Sequence, residues 1–169
     1  MFLAVWFLAG AVWLPVAEWP SQEPTANGHD YDADRPLELA DGRRVFVEFT
    51  EQGLVERHQS AKGEPWSKPR VLHAEPGDTE CPVELSAYGD TVAVMAHWDV
   101  GCNDPAADTA IAAVGDDGLT DWDVEPIDHI DRWEWTRFSW SGYRVVFRKS
   151  GGDGIEELSW RESIGFTGP

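Results

Sequence analysis

The chain has few basic residues, few cysteines and few methionines. Lys and Arg together number 13 against 31 Asp and Glu, so the formal net charge is -18 over 169 residues. Binding to nucleic acid or to an anionic membrane surface depends on clustered positive charge. The charge balance therefore predicts that the protein does not bind nucleic acid.

The sequence after Pro36 also lacks the apolar period of a long amphipathic helix. Apolar and polar residues alternate instead, as in "VFVEF" and "IEELSWRE", and turn residues recur about every eight to twelve positions. A chain of this length has room for one domain and a short additional segment. These patterns predict a single all-β domain.

The first 17 residues, "MFLAVWFLAGAVWLPVA", contain no charge. This run is shorter than the roughly 20 residues of a membrane-spanning helix, and it is typical of the apolar part of an export signal, although no basic residue precedes it. We expect residues 1–17 to be a signal peptide or membrane anchor, and the chain to contact a membrane only there. The alternative is a buried strand or helix of the folded domain.

Residues 18–36 are rich in Pro, Asn, Asp and Gly and have no apolar period, which predicts a disordered linker. The folded domain is then residues 37–169. With an export segment in front of it, the protein is expected to be extracytoplasmic, either secreted or membrane-anchored.

Cys81 and Cys102 are the only cysteines. They flank an expected hairpin, "PVELSAYGDTVAVMAHWDVG", and in an exported chain this arrangement favours a disulfide. A metal pair or a catalytic thiol is the alternative, but the sequence has no C-x-x-C and no histidine at ligand spacing. We predict no metal site and no cofactor; Asp30, Asp32 and Asp34 lack the glycine and the final glutamate of a calcium loop.

Three segments share one pattern: "LELADGRRVFVEF", "VELSAYGDTVAVMAHW" and "TRFSWSGYRVVFRKS". Each contains a short strand, a turn built on Gly42, Gly89 or Gly142, and a second strand rich in Val, Phe or Ala. A third strand follows in each and a fourth in the first two, as in "DTAIAAVG" and "TDWDVEPI"; the third unit has "GIEELSWRES" and then only "IGFTGP". Four short antiparallel strands that recur at about 40 to 50 residues are typical of β-propeller blades.

The predicted fold is therefore three four-stranded antiparallel blades. A closed ring needs four or more blades. The three units would form an open, partial propeller, pack sheet on sheet like a sandwich, or complete themselves as a homo-oligomer.

The units resemble the blades of sialidase-type propellers, which carry BNR or Asp-box repeats. The resemblance rests on "GEPWSKPRVL" at Gly63 to Leu72, similar to an outer strand of that family, and on "GDDGLTDW", similar to its S-x-D-x-G-x-T-W hairpin. It implies a sialidase-like fold and a structural hairpin turn in which the box positions are filled by Asp116, Gly118, Thr120 and Trp122. Val114 stands where the box has serine, and Asp121 is an additional residue before the tryptophan.

The most aromatic stretch is "RWEWTRFSW". On a strand, Trp133 and Trp135 would share one face, and Phe138 and Trp140 the other. These faces could be core, or they could form a surface on which sugar rings or a peptide stack, with Trp98 adding to it.

The sequence thus predicts a non-catalytic recognition module that binds a glycan or a protein at the cell surface. The alternative is a degenerate sialidase-like glycoside hydrolase. An enzyme of that type needs a triad of arginines around the sugar carboxylate, and most arginines here lie next to turns or in alternating strands. No catalytic residue is predicted.

Overall fold

The structure, a computed structural model, describes residues 35–75, 83–97, 109–128, 133–151 and 154–168. These ranges contain twelve strands, one short 3-10 turn at Asp117–Leu119 and no α-helix. The strands are β1 (Leu37–Glu38), β2 (Arg44–Thr50), β3 (Gly53–Gln59), β4 (Arg70–His73), β5 (Val83–Tyr88), β6 (Thr91–His97), β7 (Thr109–Asp116), β8 (Asp121–Asp128), β9 (Trp133–Phe138), β10 (Arg144–Gly151), β11 (Gly154–Arg161) and β12 (Gly165–Thr167). The all-β prediction is confirmed.

The strands form three antiparallel sheets of four, each in chain order. Sheet A contains β1–β4, sheet B contains β5–β8, and sheet C contains β9–β12. The turn glycines Gly42, Gly89 and Gly142 have φ values of 88°, 61° and 77°, in the left-handed region that favours glycine. The three predicted four-stranded units and their glycine turns are therefore confirmed.

Sheet B lies between sheets A and C. Strand β5 contacts β2 of sheet A, and the corresponding strand β9 contacts β6 of sheet B. The fourth strand of sheet B, β8, contacts both β4 and β12. The packing of A on B is therefore repeated in the packing of B on C.

The core between sheets A and B comes from alternating apolar positions. In β2, Val45, Val47 and Phe49 are buried and point toward sheet B, while the residues between them are half-buried. The buried side chains of this A–B core are Leu39, Val45, Val47, Phe49, Leu54, Val83, Leu85, Val92, Val94, Ala96, Ile111, Ala113 and Leu119.

The core between sheets B and C uses the opposite face of the same central strands. Ala93 and Met95 in β6 alternate with Val92 and Val94, so this strand is buried on both faces. The buried side chains of this B–C core are Ala93, Met95, Ala110, Ala112, Val114, Ile127, Val145, Phe147, Leu158 and Trp160. Burial on both faces explains why β6 is continuously apolar instead of alternating.

One end of the stack collects the β1–β2, β5–β6 and β9–β10 turns, one from each sheet, and we call it the turn end. Arg43, beside β2, donates to Asp90 in the β5–β6 turn at 2.6 Å. Tyr88, at the end of β5, donates through its hydroxyl to the Trp140 carbonyl in the β9–β10 turn at 2.6 Å. Residues far apart in the chain therefore meet at this end.

Within the described ranges, the structure contains no helix with the length and apolar character needed to cross a membrane. The predicted segment 1–17 lies outside the described residues, and so does the predicted linker 18–36 apart from Arg35 and Pro36.

Replacing Phe147 by alanine should lower the free energy of unfolding by about 3–5 kcal/mol, because its ring is fully buried in the B–C core. The matched change Phe46→Ala, on the half-buried outer face of sheet A, should cost about 1 kcal/mol or less. Urea unfolding followed by tryptophan fluorescence measures both. If Phe147→Ala does not fold, Phe147→Leu should still lower the free energy of unfolding more than Phe46→Leu. An equal decrease for both would contradict the stacked arrangement of the sheets.

Candidate functional site

A cleft of about 280 Å³ opens between sheets B and C at the turn end. Four turns contribute to this B–C cleft: β5–β6, β7–β8, β9–β10 and β11–β12. Its lining residues are Asp90, Thr91, Asp116, Gly118, Tyr143, Trp160 and Glu162.

Trp160, a lining residue that also belongs to the B–C core, has a fixed orientation. Its side chain is 1% exposed, and its indole Nε1 donates to Asp123 Oδ2 at 2.6 Å. Asp123 is on β8 of sheet B and Trp160 is on β11 of sheet C. The bond therefore joins the two sheets beside the cleft and satisfies the indole N–H.

The β9–β10 turn, residues 139–143, carries two exposed aromatic side chains, and we call it the aromatic turn. Trp140 is 73% exposed and Tyr143 is 63% exposed. Sheet B holds the turn's backbone: Tyr88 donates to the Trp140 carbonyl, and the Thr91 hydroxyl donates to the Gly142 carbonyl at 3.4 Å. Solvent-exposed aromatic rings are thus presented on a fixed backbone.

Carboxylates from three turns give the B–C cleft a negative lining, and Arg43 offsets part of that charge. Arg43 Nη2 donates to Asp90 Oδ1 at 2.6 Å, and Arg43 Nε donates to Asp41 Oδ2 at 2.5 Å. The backbone N–H of Arg43 also donates to Asp41, and this bond holds the pKa of that carboxyl below its ordinary value. The cleft thus offers the carboxylate oxygens of Asp90, Asp116 and Glu162 as hydrogen-bond acceptors.

The segment predicted as a structural turn forms the hairpin between β7 and β8. Asp116, the last residue of β7, pairs with Asp121, and Gly118 adopts a φ of 75° within the 3-10 turn. The Trp122 ring covers Gly115 so closely that a Cβ there would lie 2.6 Å from it. The Thr120 carbonyl accepts a bond from Arg70 of sheet A at 2.6 Å. Two residues of this hairpin, Asp116 and Gly118, also line the cleft.

The other predicted site residues fall partly outside the described chain. Trp98, Cys81 and Cys102 lie outside the described residues. For Trp133 and Trp135 the structure describes the backbone, which pairs with Lys149 and Arg148 across β9 and β10. The aromatic stacking surface and the disulfide therefore stay predictions.

The structure separates Phe138 and Trp140, which were expected on one face of a strand. Strand β9 ends at Phe138, whose ring packs against the B–C core and stacks on Tyr88 with centroids 6.2 Å apart. Trp140 lies in the turn because Gly142 reverses the chain there. Sequence reasoning missed Tyr143 and Glu162; the signal available was an aromatic or acidic residue directly beside a turn.

Among the described residues, no group of three or more His, Cys, Asp or Glu side chains is arranged to hold a metal ion.

A second polar cluster lies between sheets A and B. Glu56 in β3 is 1% exposed, and its Oε1 lies 2.8 Å from Nδ1 of His58. Arg70 is its cross-strand partner in β4 and donates to the Thr120 carbonyl. Burial raises the pKa of the Glu56 carboxyl, and His58 and Arg70 oppose this effect. The cluster connects the two sheets at some cost in desolvation.

The Glu56→Gln variant tests this cost. Because the folded pKa of Glu56 exceeds its ordinary value of 4.5, the folded state holds this proton more tightly than the unfolded state. The wild-type protein should therefore lose stability as pH rises from 4.5 through the folded pKa, whereas the amide variant cannot lose a proton. The stability of Glu56→Gln relative to wild type should be higher at pH 7 than at pH 4.

Urea unfolding at several pH values gives this difference, and Glu48→Gln is the control because Glu48 lies on the outer face of the same sheet, where Arg57 pairs with it. A stability difference for Glu56→Gln that is the same at pH 4 and pH 7 would contradict the raised pKa.

Comparison with known protein families, with curated protein sequences and with solved structures finds no match to this chain.

Proposed function

We propose that the protein is a non-catalytic recognition module outside the cytoplasm, and that it binds a glycan in the B–C cleft. The observation that carries this proposal is the aromatic turn, whose exposed Trp140 and Tyr143 are held by two hydrogen bonds from sheet B. Exposed aromatic side chains on a fixed backbone lower the ordering cost of binding.

The chemistry of the cleft fits a sugar. The apolar face of a sugar ring packs on an aromatic ring, and its hydroxyls donate to carboxylate oxygens. Tyr143 supplies a ring at the cleft, and Asp116 and Glu162 supply the acceptors. The volume of about 280 Å³ is close to the lower end of ligand pockets, roughly 300 Å³, which suits a short part of a glycan chain.

In the described part of the chain no arginine lines the B–C cleft, and this favours binding there over sialidase-like hydrolysis. Three described arginines have separate carboxylate partners on different parts of the stack: Arg43 with Asp90, Arg57 with Glu48, and Arg148 with Glu157. Arg57 and Arg148 lie on sheets A and C, with sheet B between them. A sialidase-like pocket would require such arginines to converge on one carboxylate.

The proposal includes the identity of the three sheets as blades of a partial, open propeller. Its support is the repeated packing step, in which β5 contacts β2 as β9 contacts β6. The extracytoplasmic location is supported by the uncharged run at residues 1–17, and a disulfide between Cys81 and Cys102 would suit that location.

Alanine at Tyr143 should weaken glycan binding about tenfold, because it removes the aromatic ring that lines the cleft, and alanine at Trp140 should weaken binding because it removes the other exposed ring of the same turn. Isothermal titration with chitohexaose, cellohexaose and soluble peptidoglycan fragments measures the affinity of the full-length protein. Trp66→Ala is the matched control, because Trp66 is 38% exposed but lies in the β3–β4 loop, where the Arg44 guanidinium is over its ring.

Full-strength binding by Tyr143→Ala and Trp140→Ala would contradict a glycan site at the aromatic turn. Catalytic release of products from these oligosaccharides or from a fluorogenic sialoside, lost in Glu162→Gln, would favour the hydrolase alternative.

A further inference from the structure

The side of sheet C that faces away from sheet B has an unusual composition. Val145 and Phe147 of β10 point into the B–C core, so the residues between and beside them lie on the opposite side, which we call the outer face of sheet C. Cross-strand pairing brings residues of β9, β11 and β12 to the same face. The described side chains on it include Arg137, Arg144, Val146, Arg148, Glu157, Ser159, Arg161 and Thr167.

This outer face is positively charged in a strongly acidic protein. Four arginines (137, 144, 148 and 161) and one glutamate (157) lie on it among the side chains that the structure describes. The whole chain has 13 basic and 31 acidic residues. The outer face of sheet C is therefore locally positive, although the protein as a whole is negatively charged.

Two of these arginines are placed directly opposite each other. Arg144 of β10 and Arg161 of β11 are cross-strand partners, and like charges in that position destabilise a sheet. Arg144 donates to the Ser159 hydroxyl at 3.1 Å, but neither arginine has an ion-pair partner in the described part of the chain. Sheet A avoids this repulsion, because its equivalent residue Arg44 faces Gln59 and donates to its side-chain oxygen.

We infer that the outer face of sheet C binds an acidic polysaccharide, whose sugar carboxylates contact Arg144 and Arg161. Guanidinium groups bind carboxylates through two parallel hydrogen bonds, and such bonds are stronger than neutral ones. A carboxylate between the two arginines would offset their repulsion. The Ser159 and Thr167 hydroxyls lie on the same face and can bond to sugar hydroxyls.

The charge of the whole protein favours this partner over nucleic acid. Duplex DNA carries one charge per roughly 1.7 Å, so the net charge of -18 would repel it strongly at distances beyond the arginine face. An acidic polysaccharide carries at most about one carboxylate per sugar ring and is repelled less. The inference extends the proposed glycan recognition to a second surface and names the ligand's charge.

The test uses the full-length protein and oligogalacturonate, with the methyl-esterified oligomer as the matched ligand without charge. Oligogalacturonate should bind, and its ester should bind at least tenfold more weakly. Arg144→Gln and Arg161→Gln should each raise the dissociation constant about tenfold, as expected for the loss of a hydrogen bond between charged groups. The melting temperature of Arg161→Gln should equal or exceed that of wild type, because a repulsive pair is removed and Arg144 keeps its bond to Ser159.

Arg57→Gln is the control, because it removes the same charge from the outer face of sheet A and should leave oligogalacturonate binding unchanged. Three results would each overturn the inference. They are an equal loss of affinity in Arg57→Gln and Arg161→Gln, equal binding of oligogalacturonate and its ester, and tighter binding of duplex DNA than of oligogalacturonate. Tyr143→Ala separates the two proposals. Its affinity for neutral glycans should fall, and its affinity for oligogalacturonate should stay unchanged, since the aromatic turn is not part of the outer face of sheet C.

Discussion

The burial of sheet B on both faces is the constraint on which the rest of the structure depends. A single four-stranded sheet with one apolar face needs a second layer to exclude water. Here the middle sheet supplies all five alanines of the two cores, including Ala93, Ala96 and Ala112, while the flanking sheets supply the largest side chains, such as Phe49 and Trp160. Small residues in the centre allow all three layers to approach one another closely.

This packing also determines the position of the candidate site. The B–C cleft exists because the β5–β6 and β7–β8 turns of sheet B meet the turns of sheet C at the turn end. The bond between Trp160 and Asp123 fixes their relative position. On the other side of sheet B, the Glu56 and Arg70 cluster connects sheet A to the hairpin that contributes Asp116 and Gly118 to the cleft. All three sheets therefore affect the geometry of one small site.

The sequence was sufficient to predict the all-β fold class and the three four-stranded units. Both depend on signals that span only a few residues, namely the alternation of apolar and polar side chains and the turn glycines. Gly42, Gly89 and Gly142 are recognisable from their neighbours alone. The cleft was not predictable in the same way, since Asp90 and Glu162 are brought together by sheet packing and by no local pattern. Trp140 shows the same limit: its aromatic neighbours suggested a strand, but the chain reverses at that point.

Two sheets contribute to the aromatic turn: sheet C supplies its residues, and sheet B supplies the hydrogen bonds that hold its backbone. Tyr88 and Thr91 of sheet B bond to main-chain carbonyls of the turn, and those bonds do not depend on which side chains stand at positions 140 and 143. The residues that position the turn are therefore different from the residues that we propose to contact a glycan. Trp140 and Tyr143 can therefore be exchanged in evolution without loss of the hydrogen bonds that hold the turn, so the proposed specificity can change while the backbone beneath stays the same.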